Sequence, residues 1–309
     1  NQSGVCGFLH PEGVYDDSKG GLLRESVYQR LAYHFQFTNV KKLFAEILHW
    51  VVFSINIYVN RSRPVFFYSM ANVFSPLTIK ESLLHDGSGV VQGIKTDDNQ
   101  WNLFGHASRI IKVDPFMLRL FANLYDDETT PTMQARLPAL HAQELTAVLQ
   151  KLANFKVKLS NLEKHFFTTE MWHETNAQKD HTILRNTEFP IEINQFVLSG
   201  PHFFVGSPWY KSPEKTCKVH HDFSTIYLEK AGNDYLPRTN YLPACKPDVY
   251  KLRTPKVSWA ESNDNCFAPV TDYYRLVRRG MLSQSGERTF IEAIMPPGVG
   301  HIHGVQSTV

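Results

Sequence analysis

The stretch GERTFIEAIMPPGVGHIHG (286–304) poses the choice on which the reading of this chain turns. His301 and His303 sit two apart, Glu287 and Glu292 lie close by, and Arg288 leads the run. It reads either as a metal or catalytic site or as a strand that presents polar tips to a partner. As a strand it places Thr289, Ile291 and Ala293 on one side and Phe290, Glu292 and Ile294 on the other. His301 and His303 then share one face of an extended segment, where a surface or hydrogen-bonding role is favoured over a metal.

The sequence around that stretch agrees. Ten of the 17 prolines lie beyond residue 200, among short runs such as HFFVG, STIYL, NYLPA and TFIEAIM. Strands interrupted at short intervals by Pro and Gly indicate a β-rich module with long connections.

The first half is patterned differently. LLRESVYQRLAYHFQ (22–36) spaces Leu23, Val27, Leu31 and Phe35 four apart, which predicts a helix. VVFSINIYV (51–59) alternates apolar and polar residues and predicts a strand, and VFFYSM (65–70) follows as its expected hairpin partner. Residues 86–106 are rich in Gly, Asp and Asn and read as loop. Asp114 followed by Pro115 forms a helix start, with Phe116, Leu120 and Leu124 on the expected inner face. Leu145, Val148, Leu149 and Leu152 give a further helix over about 138–154. The expected class is α+β, with boundaries at 1–110, 111–190 (helical) and 191–309 (β-rich).

Hydrophobic residues make up 42% of the chain and charged ones 20%. That composition supports a real core and fits no disordered class. The most apolar run, residues 43–59, is interrupted by Glu46, His49 and Asn56. It falls short of the roughly 20 clean residues a membrane span needs. Cys6, Cys217, Cys245 and Cys266 are scattered, with no C-x-x-C pair, which favours free thiols in a reducing cytoplasm. The chain opens on Asn1-Gln2-Ser3-Gly4 and its first methionine is Met70, so a fragment or processed product is expected. Net charge is +2, yet residues 206–256 hold 9 Lys/Arg against 5 Asp/Glu. Such a local bias is compatible with nucleic acid.

Self-sufficient chemistry is hard to find. HDGSGVVQG (85–93) has glycines but no helical pattern behind it, and no nucleotide, nucleophile-elbow or H-E-x-x-H motif occurs. His220-His221 with Asn233 and Asn240 imitates a His-Asn nuclease, but Pro237 falls where its helix should settle. Glu170, His173, Glu174, Asp180 and His181 crowd one segment without a recurring ligand spacing, which suits a polar interface better than a metal.

Six strings taken together carry a resemblance: GVYDDSKGGLLRESVYQRLAYHFQF (13–37), KLFAEILHWVVFSINIYV (42–59), TEMWHETNAQKD (169–180), SGPHFFVGSPWYKSP (199–213), DYLPRTNYLPA (234–244) and GERTFIEAIMPPGVGHI (286–302). In this order they resemble the region downstream of the Asn-Pro-Pro-aromatic motif in large bacterial type II and type IIG restriction-modification DNA adenine methyltransferases, including those of phage-exclusion systems. The resemblance implies methyl transfer from S-adenosylmethionine to N6 of a flipped adenine by the parent protein. The Asn-Pro-Pro motif and the cofactor loop are both missing from the 309 residues, so no catalytic residue, metal or cofactor is assigned to this chain and it is expected to be inactive alone. It would hold the final strands of a methyltransferase sheet (about 20–75), a helical connection and a β-rich target-recognition domain. Its partners would be double-stranded DNA and the missing N-terminal methyltransferase portion, in the bacterial cytoplasm and away from any membrane.

On that reading ten residues are candidates for DNA contact: Lys211, Lys215, Arg238, Asn240, Arg253, Lys256, Arg275, Arg278, Arg279 and Arg288. Arg and Asn suit guanine and adenine edges, and most of the remainder would meet phosphate. The rival expectations are a protein-interaction module of a phage-defence complex and a metal-dependent nuclease built on the histidine-rich segments.

Overall fold

A computed structural model describes residues 4–60, 64–219, 221–260, 267–282, 288 and 290–309. The chain divides into two units, Asn1–Lys156 and Val157–Val309. The dividing point lies inside the stretch 111–190 expected as a helical connection. Both units mix helices with small sheets, so the α+β expectation holds at that level.

The first unit contains β1 (Cys6–Pro11), α1 (Gly13–Asp16), α2 (Gly21–Tyr28), β2 (Leu31–Thr38), β3 (Val52–Tyr58), β4 (Phe67–Val73), α3 (Pro76–Leu84), β5 (Ile111–Val113), α4 (Pro115–Tyr125) and α5 (Glu144–Ala153). Five strands form one sheet in the order β1-β3-β2-β4-β5, parallel only between β2 and β4. The predicted strand at 51–59 is β3. Its expected hairpin with 65–70 is not formed: β2 lies between β3 and β4 in the sheet.

The helix expected over 22–36 stops at Tyr28, and its second half is β2. A spacing of four is also an even number, so the pattern fits a strand's period of two as well as a helix's, although a register shift between Leu31 and Tyr33 puts Leu31 in one core and Phe35 in the other. Tyr33 and Phe37 extend that even series with aromatic residues, which fit a pleated sheet. The residues α2 buries are Arg24 and Tyr28 rather than Leu23, which is exposed. Arg24 donates to the carbonyls of Val14, Asp17 and Gln134, and Tyr28 OH donates to Ala135 O at 2.7 Å.

Asp114 caps α4 as predicted, accepting from Met117 N at 3.0 Å with Pro115 behind it. The inner face differs from expectation: Met117, Leu118, Leu120 and Phe121 are buried, while Phe116 is 64% exposed. Helix α5 forms within the predicted span, but Leu145, Val148 and Leu152 are exposed, and of the four predicted residues Leu149 packs on the core, with Ala153. Tyr15, Tyr28, Phe67, Val113, Leu118 and Phe121 fill one side of the sheet; Phe35, Phe37, Phe53, Met70 and Val73 fill the other.

A polar chain runs through the middle of this apolar sandwich. His34 lies 3.0 Å from Ser69 Oγ through Nδ1 and 3.3 Å from Glu12 Oε1 through Nε2. Gln36 donates to the other Glu12 oxygen at 2.9 Å, and Tyr15 OH donates to Asn56 at 2.6 Å. Burial alone would raise the Glu12 carboxyl, but the bonds and charge supplied by His34, with Ser54 and Gln36, bring it below its ordinary value.

The second unit contains β6 (Thr168–Thr169), α6 (Glu174–Lys179), β7 (Ile183–Arg185), β8 (Val197–Leu198), β9 (Lys211–Pro213), β10 (Phe223–Thr225), β11 (Tyr241–Pro243), α7 (Pro247–Arg253), β12 (Lys256–Ala260), β13 (Phe267–Pro269), β14 (Arg275–Arg279), β15 (Glu292–Met295), β16 (Gly300–His301) and β17 (Val305–Thr308). They form two four-stranded sheets, β16-β8-β11-β7 and β15-β14-β17-β6, and the pairs β9/β10 and β12/β13. On β8 the side chains alternate between two cores. Val197 packs with Trp172, Tyr241 and Tyr250, and Leu198 packs with Phe196, Val277 and Met295. The opening stretch behaves as a strand over a shorter span. Ile291 and Ala293 point inward, Phe290 and Ile294 outward, and Met295 continues the inner face. Glu287 and Thr289 lie outside the described residues.

Gly300 of β16 sits beneath the bond from Trp172 Nε1 to Tyr250 OH, which is 2.9 Å long. A Cβ there would lie 2.5 Å from that hydroxyl. Gly300→Ala is therefore expected to cost about 1–3 kcal/mol by overpacking, read by chemical denaturation; an unchanged midpoint refutes the account. Glu12→Gln is expected to cost about 1–3 kcal/mol. Because the folded carboxyl titrates below its ordinary value of 4.5, its stabilisation is full above that value and lost as pH falls through the lower folded one. Denaturation of the variant should lack that acid-side loss.

Candidate functional site

In the second unit a cleft of about 570 Å³ opens between the turn 199–201, the start of β9, the end of β14 and the segment 302–304. Its wall carries Lys211 and Arg279 from the expected set, together with Tyr210, Glu174 and His303. The volume is that of an ordinary ligand pocket.

The turn 199–202 fixes one side. Ser199 Oγ donates to Asn240 Oδ1 at 3.1 Å, and Ser199 N donates to His202 Nδ1 at 3.0 Å. His202 Nε2 lies 3.2 Å from Arg238 O, so the neutral tautomer protonated at Nε2 satisfies both ends. Burial pushes the His202 ring down to about 4. The serine–histidine contact of 3.1 Å is therefore not a nucleophile and its base. A ring that titrates near 4 and is committed to a backbone carbonyl accepts protons poorly at neutral pH.

Arg279, from the end of β14, lies against this turn. It is half-buried, its guanidinium packs over Gly200, and burial lowers its pKa. Among the described residues it makes no ion pair and no side-chain hydrogen bond. Lys211 Nζ lies 5.4 Å from the centre of the Tyr210 ring, within the range of a cation–aromatic attraction. Glu174 is the acid on the wall, and it is engaged: its carboxylate accepts from Tyr241 OH, and its N–H donates to His303 Nδ1 at 3.1 Å. The His303 ring stacks on His173 at 4.7 Å. Among the described residues, the cleft thus presents two cations, Arg279 and Lys211, that form no direct ion pair, beside the Tyr210 ring and with the Glu174 carboxylate turned to Tyr241.

The other expected residues are placed elsewhere. Arg275 is only 1% exposed, with Nη2 donating to Val299 O, and Asn240 is buried against Ser199; both face the interior and serve the fold. Arg238 stacks 4.0 Å over Phe189 and donates to Thr187 O at 3.0 Å. Arg253 donates to Asp180 O and Thr182 Oγ1, at 2.8 and 2.7 Å. Lys256 reaches Lys251 O at 2.6 Å, and Arg278 donates to Gln306 at 2.7 Å. Lys215 and Arg288 are exposed and away from the cleft lining. Spacing gave no hint of Glu174, Ser199 or His303 as neighbours of Lys211, because four separate segments bring them together.

The crowded segment 169–181 resolves into structural roles. His173 caps α6, Asp180 accepts from Thr182, and Glu174 joins the cleft. Among the described residues no group of three or more His, Cys, Asp or Glu side chains is placed to hold a metal ion. His301 is buried and bonded to Ser307 Oγ at 2.8 Å, and burial pushes its ring down to about 3. His220 and Cys266 lie outside the described residues; Cys6, Cys217 and Cys245 are free thiols. No helix among the described residues is long and apolar enough to cross a membrane.

Compared with known proteins, the chain matches no protein-family model and no curated protein sequence.

The His202 environment has a measurable consequence. Its folded pKa near 4 lies below the ordinary 6.5, so the unfolded chain binds the proton first and stability falls as pH drops from about 6.5 to 4. NMR titration of the ring resonances should give a midpoint near 4; a midpoint above 6 would show that the ring is not sealed in this network.

Proposed function

We propose that the second unit is a DNA-binding module, the target-recognition part of a bacterial DNA adenine methyltransferase whose catalytic portion is a separate stretch of sequence. One observation carries the DNA-binding half of this reading: Arg279, half-buried and without a carboxylate partner among the described residues, shares a cleft with Lys211 and Tyr210. A guanidinium so placed is suited to phosphate oxygens or to the O6/N7 edge of guanine, and an ammonium beside an aromatic ring suits a backbone phosphate next to a base face. The methyltransferase half is supported by the six strings of resemblance; the first two carry most of β2 and all of β3, and β4 follows them within the span 20–75 where sheet strands are implied.

Residues 85–93, the glycine-bearing loop of the first unit, do not fit the adenosylmethionine cradle of such enzymes. That cradle runs from strand through Gly-rich loop into helix, whereas this loop leaves α3 and continues as irregular chain to an isolated Lys95–Trp101 bridge. No methyl-transfer step is therefore assigned to this chain. Its own contribution would be to bind and orient the duplex.

Fluorescence anisotropy of a labelled mixed-sequence duplex tests the reading. Binding should weaken steeply as salt rises, and Arg279→Gln and Lys211→Gln should each lower the slope of log K against log salt by about 1. Gln substitution at Arg278, which is already held by Gln306, should change it less. Salt-independent binding, no binding at low salt, or an Arg279→Gln chain indistinguishable from the parent refutes the assignment.

A further inference from the structure

The first unit contains a second cation-lined cavity, of about 430 Å³, between the loop 85–92 and the segment 104–109. Its floor is Arg109, a residue only 1% exposed. Nη2 donates to Ala71 O at 2.8 Å and to Asn72 O at 3.1 Å, while Nε has no acceptor among the described residues. No carboxylate among the described residues pairs with it, and burial alone pulls its pKa down to about 10. A guanidinium removed from water without a counter-charge is an unfavourable arrangement that an anion would relieve.

The loop above it is held in shape from both ends. His106 Nε2 lies 3.2 Å from Ser88 O while its Nδ1 accepts from Ser108 N at 3.0 Å, and His141 Nε2 lies 2.8 Å from Gln92 O. Gly87 and Gly89 adopt φ of 84° and 83°, which turns the backbone in a way side-chain-bearing residues resist. Between the two tethers the N–H groups of Gly89, Val90, Val91 and Gln92 donate to no backbone or side-chain acceptor among the described residues. The lower wall is fixed by α3: Gly105 N donates to Glu81, His106 N donates to Ser82 Oγ, and a Cβ on Gly105 would collide with that of Glu81. The nearest acid of the loop, Asp86, is turned outward and bonded to Ser88.

We propose that this cavity binds a phosphate-type oxyanion, with Arg109 supplying the charge beneath it and the 89–92 amides the donors above it. Backbone amides fanned from a glycine turn are a recurrent receptor for such groups. The group belongs either to a small phosphorylated ligand or to a nucleic-acid backbone. The inference is independent of the DNA-binding reading of the second unit.

The test is a titration of the full chain with inorganic phosphate at constant ionic strength, read from the His85 and His106 ring resonances by NMR. A saturable shift is expected, and Arg109→Met should abolish it. Since Arg109 also holds two buried carbonyls, Val90 provides a variant that spares the fold: it lines the cavity and is 83% exposed. Val90→Glu should weaken phosphate binding roughly three- to tenfold and Val90→Lys should tighten it comparably. No saturation, or one affinity shared by the parent and both Val90 variants, overturns the proposal. Repeating the phosphate titration with duplex DNA present separates the sources: a raised apparent dissociation constant for phosphate assigns the cavity to a backbone phosphate, and an unchanged one assigns it to a small phosphorylated ligand.

Discussion

The first unit depends on one buried contact, that between Glu12 and His34. His34 sits at the centre of the sheet, facing Asn56 across β3 and Ser69 across β4. Glu12 follows the edge strand β1 directly. Through this pair and its hydroxyl and amide neighbours, side chains of β2, β3 and β4 and the residue that follows β1 are locked in one register. A slip by one residue would turn His34 into an aromatic core and leave Glu12 buried with no partner, a far larger penalty than shifting one aliphatic residue past another. Apolar packing gives this sheet its stability; the polar chain makes its register unique.

Buried arginine is the second recurring device. Arg24, Arg109 and Arg275 are all sealed, and each donates mainly to backbone carbonyls rather than to a carboxylate. The guanidinium takes this role well because its planar fork reaches several acceptors at once. Arg24 closes off the carbonyl ends around a helix start. Arg275 joins β14 to the segment carrying Val299. Arg109 does the same for Ala71 and Asn72 but borders open space, and that difference separates a purely architectural cation from one able to act on a ligand.

Local signals in the sequence were readable where a single interaction sets the structure. Asp114-Pro115 specifies its helix start because the cap and the fixed φ act within four residues. The alternation from Phe290 to Met295 specifies a strand for the same reason. Elsewhere local patterns were ambiguous or silent. The four-residue spacing from Leu23 to Phe35 satisfies helix and strand alike, and only the tertiary slot beside β3 decides between them. Arg275 and Arg279 lie four apart on one strand and look equivalent as sequence, yet one is interior and the other lines a cleft. Which of two similar cations faces water is set by segments distant in the chain. The cleft was legible only as a basic tendency over 206–256, which supplies Lys211 and His221, since Glu174, Ser199, Arg279 and His303 come from other segments.

In the second unit, Phe167 and Val309 exchange backbone hydrogen bonds in both directions, at 3.2 and 3.0 Å, and β6 lies on β17. Segments far apart in the sequence, 167–169 and 307–309, are thus neighbours in the same sheet. Closing a loop of that length carries an entropy penalty that precedes any gain from the contact. The sheet β15-β14-β17-β6 therefore cannot be completed during synthesis until its last strand has emerged, and the partly made unit would hold β6 as an unpaired edge throughout.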